Sequence, residues 1–397
     1  MKSIIFRNIF FILALSAIAG FASCHSSDEP EKPGDEKRGR RTVLVYMLAN
    51  NNLGSSFFDA DDLREMLVGV ENGALGDGGR LLVFHEPADG SAPVLKEVCA
   101  GGIVELKVYP AETCGVEAGT MSTVLDDMKA EAPALSYGLV LWSHATGWIE
   151  DGIADDGSRA DANAPAPLSF GASGREKMNI TTMARVLAGR GLDFLYFDCC
   201  YMMGIESLYE LRKVAPVMAG SPTELPSAGM PYDKTLPFFF AEGAADLEGA
   251  ARATFDHYNA LSGTARMCTM SVVRTAALPR LAAATKAIYE GSRAGMPTDG
   301  FTPQRYSAVS LERCNYFDFA QYVRHLAAGS PDKLAEFESA LSEVVQYEDA
   351  TPYLWGVVAL THHSGLSTYI LPGYSSASDR GYNTLAWWAD VASTLQH

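Results

Sequence analysis

The sequence predicts an α/β fold, a three-layer α/β/α sandwich with a mostly parallel sheet and additional C-terminal helices. Two observations carry that prediction. Short apolar runs such as TVLVYML (42–48), YGLVLW (137–142) and LDFLYFD (192–198) are bounded by polar turns, as strands buried on both faces require. Between them lie segments with apolar residues near helical spacing. At 397 residues with 48% hydrophobic side chains, the chain has ample material for a large core and is not a disordered polypeptide. A formal net charge of −17 argues against nucleic acid or an anionic membrane surface as partner.

The N-terminus reads as a targeting segment. Residues 1–23 carry Lys2 and Arg7, then an apolar run too short to span a membrane, then small residues before Cys24, the layout of a secretory signal peptide. Phe-Ala-Ser before Cys24 resembles a bacterial lipobox, which implies lipidation of that cysteine. The expected location is therefore outside the cytoplasm, lipid-anchored to the outer membrane or cell surface, with a periplasmic or secreted protein as the alternative. The Pro-, Gly- and charge-rich remainder of 24–41 offers no large apolar side chain and reads as a flexible tether.

From residue 42, the strand 42–48 ends at the polar turn Ala49–Asn52, and 57–70 is an amphipathic helix. GRLLVFHE (79–86) is a second strand. Residues 92–98 and 102–110 form a hairpin excursion around Gly101–Gly102. A helix at 119–131 leads to the strand 137–142. The Gly-, Asp- and Ala-rich stretch 151–177 is predicted as an exposed loop, followed by a helix at 181–189 and the strand 192–198. Another strand is expected at 215–220. Residues 42–240 are thus the predicted core. Residues 241–397 are expected to be mainly helical (245–262, 276–294, 316–328, 331–346) and to complete the sheet and crevice, with strands near 265–274 and 366–372 that extend the sheet or form a small appended one.

Two strands end in chemistry. YGLVLW runs into Ser143-His144-Ala145, and LDFLYFD runs into Cys199-Cys200. Functional groups in open α/β sheets gather beyond the carboxyl ends of strands. If these strands are neighbours, an imidazole and a thiol meet there, as nucleophilic thiol catalysis needs. The bland alternatives are an inert buried cysteine and a structural histidine. No HExxH, P-loop or GxSxG motif occurs, which removes the commonest zinc-peptidase, nucleotide-hydrolase and serine-hydrolase readings.

TVLVYMLANNNL (42–53), LVLWSHATGW (139–148), FDCCYM (197–202) and HSGLSTYILP (363–372) resemble the clostripain family of cysteine peptidases, in that family's order. The resemblance implies a caspase-like fold and a peptide or protein substrate. It implies His144 as general base and acid and Cys200 as nucleophile, because the pattern Asp-x-Cys lays onto Asp198-Cys199-Cys200. Alternation along a strand separates the two thiols, leaving one to address His144. By the same resemblance the main-chain N–H groups of Cys200 and Ala145 stabilise the oxyanion, although the family usually has glycine at 145.

The resemblance implies cleavage after Arg or Lys, because members with that preference line the specificity pocket with carboxylates and Asp198 matches one such position; the alternative role for Asp198 is a cap or hydrogen-bond partner for the crevice backbone. A second carboxylate would come from the loop after 215–220, but Ser227-Ala228-Gly229 has none at its tip, leaving Glu224 and Asp233 as candidates. Several members of that family cut themselves between the histidine and cysteine strands, so the resemblance implies self-processing within 151–177 at Arg159, Arg175 or Lys177, with a tolerated insertion as the alternative. The chemistry requires no cofactor. Calcium, which some relatives need, has Asp151, Asp155 and Asp156 as candidate ligands, but their spacing is not that of an EF-hand. Cys99–Cys114 and Cys268–Cys314 are close enough in sequence to pair outside the cytoplasm, with free thiols as the alternative. The rival function is a catalytically silent surface lipoprotein of the same fold, acting as a binding or scaffold module.

Overall fold

The computed structural model describes residues 38–149, 170–174, 176–307, 316–371 and 381–396. The signal segment, Cys24, most of the tether, Arg159, Arg175, Asp151, Asp155 and Asp156 lie outside the described residues.

Strand β1 (Gly39–Leu48) shows how the sequence builds the core. Val43 through Leu48 are fully buried, with Leu44, Tyr46 and Leu48 in one apolar cluster and Val43, Val45 and Met47 in a second. Alternation sends successive side chains to opposite faces, so both faces must be covered. Each buried Val or Leu contributes about 1.5–3 kcal/mol of transfer free energy. The short helix α1 (Asn52–Ser55) and the longer α2 (Phe58–Glu71) follow, and then β2 (Gly79–Glu86), parallel to β1. β3 (Val94–Cys99) and β4 (Gly102–Val108) are the antiparallel excursion at the sheet edge. α3 (Ala118–Glu131) returns the chain to β5 (Ala134–Trp142), which lies parallel to β1 on its other side.

The predicted loop is shorter than 151–177. Phe170–Ser173 (β6) and Glu176–Met178 (β7) pair antiparallel, because Phe170 and Met178 are buried in the core and Gly174 turns with φ 58° between them. After α4 (Ile180–Leu187) comes β8 (Phe194–Asp198), parallel to β5. Gly138 permits that pairing. A Cβ there would come 2.1 Å from the Phe194 ring. α5 (Ile205–Leu211), β9 (Val217–Gly220), α6 (Tyr232–Phe239) and α7 (Leu247–Asn259) complete the segment before β10 (Thr269–Arg274).

The C-terminal part supplies α8 (Leu278–Tyr289), β11 (Tyr316–Asp318), α9 (Phe319–Leu326), α10 (Pro331–Val344) and β12 (Val345–Ala350). It continues into the hairpin β13 (Tyr353–Leu354) and β14 (Val358–Ala359), then β15 (Ser367–Tyr369) and α11 (Ala386–Asp390). The nine-stranded sheet has the order β12-β10-β9-β8-β5-β1-β2-β3-β4. β2, β1, β5, β8 and β9 are parallel, and the flanking strands are antiparallel. One face packs on α3, α4, α5, α8 and α10, the other on α2, α6 and α7. That is the three-layer sandwich. β15 pairs with β11 in a small separate sheet rather than extending the large one. The helix expected to reach 346 stops at Val344, and β12 follows without a loop.

Candidate active site

Parallel pairing fixes the site. β5 and β8 are adjacent, with Trp142 opposite Asp198, so residues that overrun the two strands by equal lengths emerge side by side. His144 and Cys200 each lie two positions beyond those partners. Both line one crevice of about 210 Å³, together with Asp198, Glu224, Leu225 and Trp355.

His144 is held from a third strand. Its Nε2 atom lies 2.7 Å from Asn52 Oδ1, and Asn52 follows β1, the other neighbour of β5. The preceding side chain locks the turn. Ser143 Oγ donates to Leu48 O at 3.0 Å and accepts from Ala172 N–H at 3.1 Å, tying β1, β5 and β6 together. Partial burial lowers the His144 pKa below the ordinary histidine value, since removal from water disfavours the imidazolium.

The two thiols differ in setting. Cys199 is 3% exposed and packs into the core. Cys200 is half-buried. The Leu225 N–H donates to its Sγ at 3.3 Å, and the S–H faces Leu225 O at 3.8 Å. Burial pushes the Cys200 thiol up to about 12 and raises Cys199 well above the ordinary thiol value too. The next residue, Tyr201, has φ 61° without being glycine, a left-handed conformation that costs roughly 1–2 kcal/mol. The conformation is fixed by Tyr201 N–H donating to Thr223 O at 2.9 Å, its hydroxyl donating to Ser307 Oγ at 3.2 Å, and ring stacking on Tyr316. The chain thereby turns sharply at the thiol.

Ala145 is buried and bridges to Phe170, while Gly171 N–H donates to His144 O at 2.9 Å. Among the described residues the only non-glycine positions with positive φ are Phe57, Tyr201 and Trp355. Alanine at 145 is therefore unstrained. Among the described residues, neither the Ala145 nor the Cys200 N–H donates to a backbone carbonyl.

Asp198 lines the crevice but is itself 5% exposed. Its carboxylate accepts from Met230 N–H at 2.9 Å and from the Tyr232 hydroxyl at 3.0 Å. Burial raises its pKa to about 7. Behind it Asp62, which accepts from Trp142 Nε1 at 2.5 Å, is raised to about 10 by burial and the nearby Asp198 charge. Glu224 reaches the crevice, where its Oε2 accepts from Trp355 Nε1 at 2.6 Å. Asp233 stands in a neighbouring depression of about 340 Å³ with Asp61, Asp62 and Glu65, not in the crevice. Lys177 lies on β7.

Sequence reasoning gave no role to Asn52, Asp62, Tyr232 or Trp355. Only Asn52 left a signal, as part of the polar turn ending the first strand. Cys114 and Cys268 are free thiols, so the two suggested pairings do not form. Among the described residues no group of three His, Cys, Asp or Glu is placed to hold a metal ion.

The clostripain family model matches residues 45–369. A C11 protease from Parabacteroides distasonis, solved as an inactive zymogen, is 27% identical with a TM-score of 0.75, the match covering 89% of this chain and 98% of that one. A secreted C11 cysteine protease from Bacteroides thetaiotaomicron, solved with an irreversible peptide inhibitor, is 26% identical with a TM-score of 0.73 over the same shares. No curated protein matches the sequence. The architecture is that of the caspase-like C11 structures, and the chain belongs to the clostripain family of cysteine peptidases.

Proposed function

We propose that this protein is an exported endopeptidase that cleaves peptide bonds after Arg or Lys through a Cys200 acyl-enzyme. The observation that carries the reading is the shared crevice. One imidazole and one half-buried thiol emerge from adjacent parallel strands into a space that a side chain can enter.

In the proposed reaction Cys200 Sγ attacks the scissile carbonyl carbon while its proton passes to His144. The carbonyl electron pair moves to oxygen, which the N–H groups of Cys200 and Ala145 receive. Collapse reforms the C=O bond and breaks the C–N bond, and His144 returns the proton to the departing amine. A water then gives a proton to His144 as it attacks the thioester. The carboxylic acid leaves, and the thiol regains its proton. With Nε2–H donating to Asn52, Nδ1 is the nitrogen that accepts from sulfur. A histidine with lowered pKa and a thiol with raised pKa favour proton transfer during attack over a preformed thiolate–imidazolium pair.

Asp198 is the proposed partner for a substrate guanidinium or ammonium, with Glu224 as the second carboxylate at the crevice. A bound cation would draw the Asp198 pKa down again. Self-processing within 151–177 is supported by where that segment is rooted. Ile149, just before it, and Phe170, within it, are both buried in the cluster that holds Ala145. The P. distasonis relative is described as an inactive zymogen, and the Cys200 thiol engaged by Leu225 supports a precursor state here too. The B. thetaiotaomicron relative is described as secreted, which supports export, with Cys24 as the lipid attachment point.

The test is turnover of arginyl and lysyl reporter peptides by wild type, Cys200→Ala and Cys199→Ala, with calcium present. Loss in Cys200→Ala alone is expected. Loss in Cys199→Ala with activity surviving in Cys200→Ala would move the nucleophile. Absence of cleavage of any peptide by wild type would favour the silent binding module.

A further inference from the structure

On the side of the crevice away from His144 stands an aromatic hairpin that the proposed mechanism leaves unused. β13 and β14 pair Tyr353 with Ala359 and Leu354 with Val358. Leu354 is fully buried and anchors the hairpin, whereas Tyr353, Trp355 and Val357 are 50%, 42% and 73% exposed. Trp355 has φ 51°, a conformation that non-glycine residues hold only where their surroundings impose it. Those surroundings are specific. The indole N–H donates to Glu224 Oε2 at 2.6 Å, and the backbone N–H donates to Met267 Sδ at 3.2 Å. The Trp355 side chain lines the same crevice as Cys200 and Asp198.

Strand order decides which half of a substrate faces this indole. Across the carboxyl edge of the parallel strands, His144 follows β5 and Cys200 follows β8. The Glu224–Leu225 segment follows β9, and Met267, which holds Trp355, precedes the antiparallel β10. The amine must depart beside His144, the group that protonates it. The acyl half therefore extends the opposite way, from Cys200 past Glu224 toward Trp355.

We infer that Trp355, positioned by Glu224, is a specificity-determining residue that receives an apolar side chain from the substrate residue immediately preceding the cleaved one. The inference rests on the endopeptidase reading and deepens it. A flat indole face offers a leucine or phenylalanine side chain a surface on which to leave water. The Glu224 and Asp198 carboxylates on the same wall disfavour an acidic side chain there.

The experiment compares kcat/KM of the full chain on two arginyl peptides that differ only in the preceding residue, leucine or glycine. Wild type is expected to prefer leucine by about tenfold or more. Trp355→Ala brings the ratio to about one, and Trp355→Phe, which keeps an apolar ring, retains several-fold preference. Glu224→Gln, which keeps an acceptor for the indole, retains the preference, and Glu224→Ala weakens it. Thermal melting of each variant separates these ratios from unfolding. A ratio near one in wild type, or an unchanged ratio in folded Trp355→Ala, overturns the inference and leaves the endopeptidase reading standing. Cleavage of neither peptide by wild type overturns both.

Discussion

The Nε2 atom of His144 lies 2.7 Å from Oδ1 of Asn52, so the imidazole at the end of β5 is oriented by the turn that ends β1. A side-chain amide fixes the ring without adding charge. The proposed base therefore stays a neutral imidazole whose other nitrogen is directed by a geometric constraint rather than by an ion pair.

Asn52→Ala should lower kcat on the order of ten- to a hundredfold, with KM moved less, because a misplaced imidazole loses its line to the reacting proton. Asn52→Asp should restore orientation and place a carboxylate on the ring. The opposite charge raises the His144 pKa and shifts the acid limb of the pH–rate profile upward. A residue that served packing alone would leave that limb where it was.

The pH profile of wild type follows from the two shifts. His144 accepts a proton only when neutral, and burial lowers its pKa from 6.5. Activity should be lost as pH falls through a midpoint below the ordinary histidine value. Because the Cys200 thiol is pushed up to about 12, alkylation of Cys200 by iodoacetamide should be slow at neutral pH and accelerate into the alkaline range. An acid limb centred above pH 7 would contradict the lowered His144 pKa, and rapid alkylation at pH 6 would instead identify a preformed ion pair.

Asp198→Asn removes the negative charge from the crevice while its one carbonyl oxygen still accepts from Met230 N–H and its amide NH2 turns to donate to the Tyr232 oxygen. Steady-state kinetics on an arginyl reporter should show kcat/KM falling about a hundredfold or more, with a reporter carrying a neutral residue at that position affected far less. Gly229→Ala approaches the same group from the other side. Its Cβ would lie 3.0 Å from both Asp198 oxygens, at a backbone φ of 64°. Lower thermal stability, by roughly 1 kcal/mol or more, should accompany weakened arginyl turnover.

Stability should also depend on Glu206, in the first turn of α5. The side chain is fully buried, and its Oε1 accepts from the Thr368 hydroxyl and Tyr369 N–H at 2.7 and 2.9 Å. Burial raises its pKa from 4.5 to about 7. The folded state thus holds a proton that the unfolded chain has released over this range. The contribution is complete below the unfolded value and is lost as pH rises through about 7. Thermal melts of wild type should fall between pH 5 and 8, and Glu206→Gln should reduce that fall, the remainder coming from groups such as Asp198 that burial raises in the same way. Parallel curves for the two proteins would remove Glu206 as its source.

Periodicity alone determined most of the elements. GRLLVFHE was bounded correctly at both ends as a strand, and the buried runs 42–48, 137–142 and 192–198 lie within or overlap β1, β5 and β8. Each of those runs announces in its own side chains that both faces are covered. β12 left no such mark. It leaves α10 without a turn residue, and only Tyr347 of its six residues is buried. The 353–359 hairpin was equally silent because its largest side chains face solvent.

For the site, the sequence by itself determined that an imidazole and a thiol each follow a buried strand, and it named both. The tertiary structure decided that those strands are neighbours, that Asn52 crosses 92 positions to reach His144, and that Trp355 crosses 131 to reach Glu224. The physical reason lies in range. Burial pattern is set by each segment's own side chains, whereas strand order and loop contacts arise from packing among segments far apart in the chain, where spacing along the sequence carries no distance.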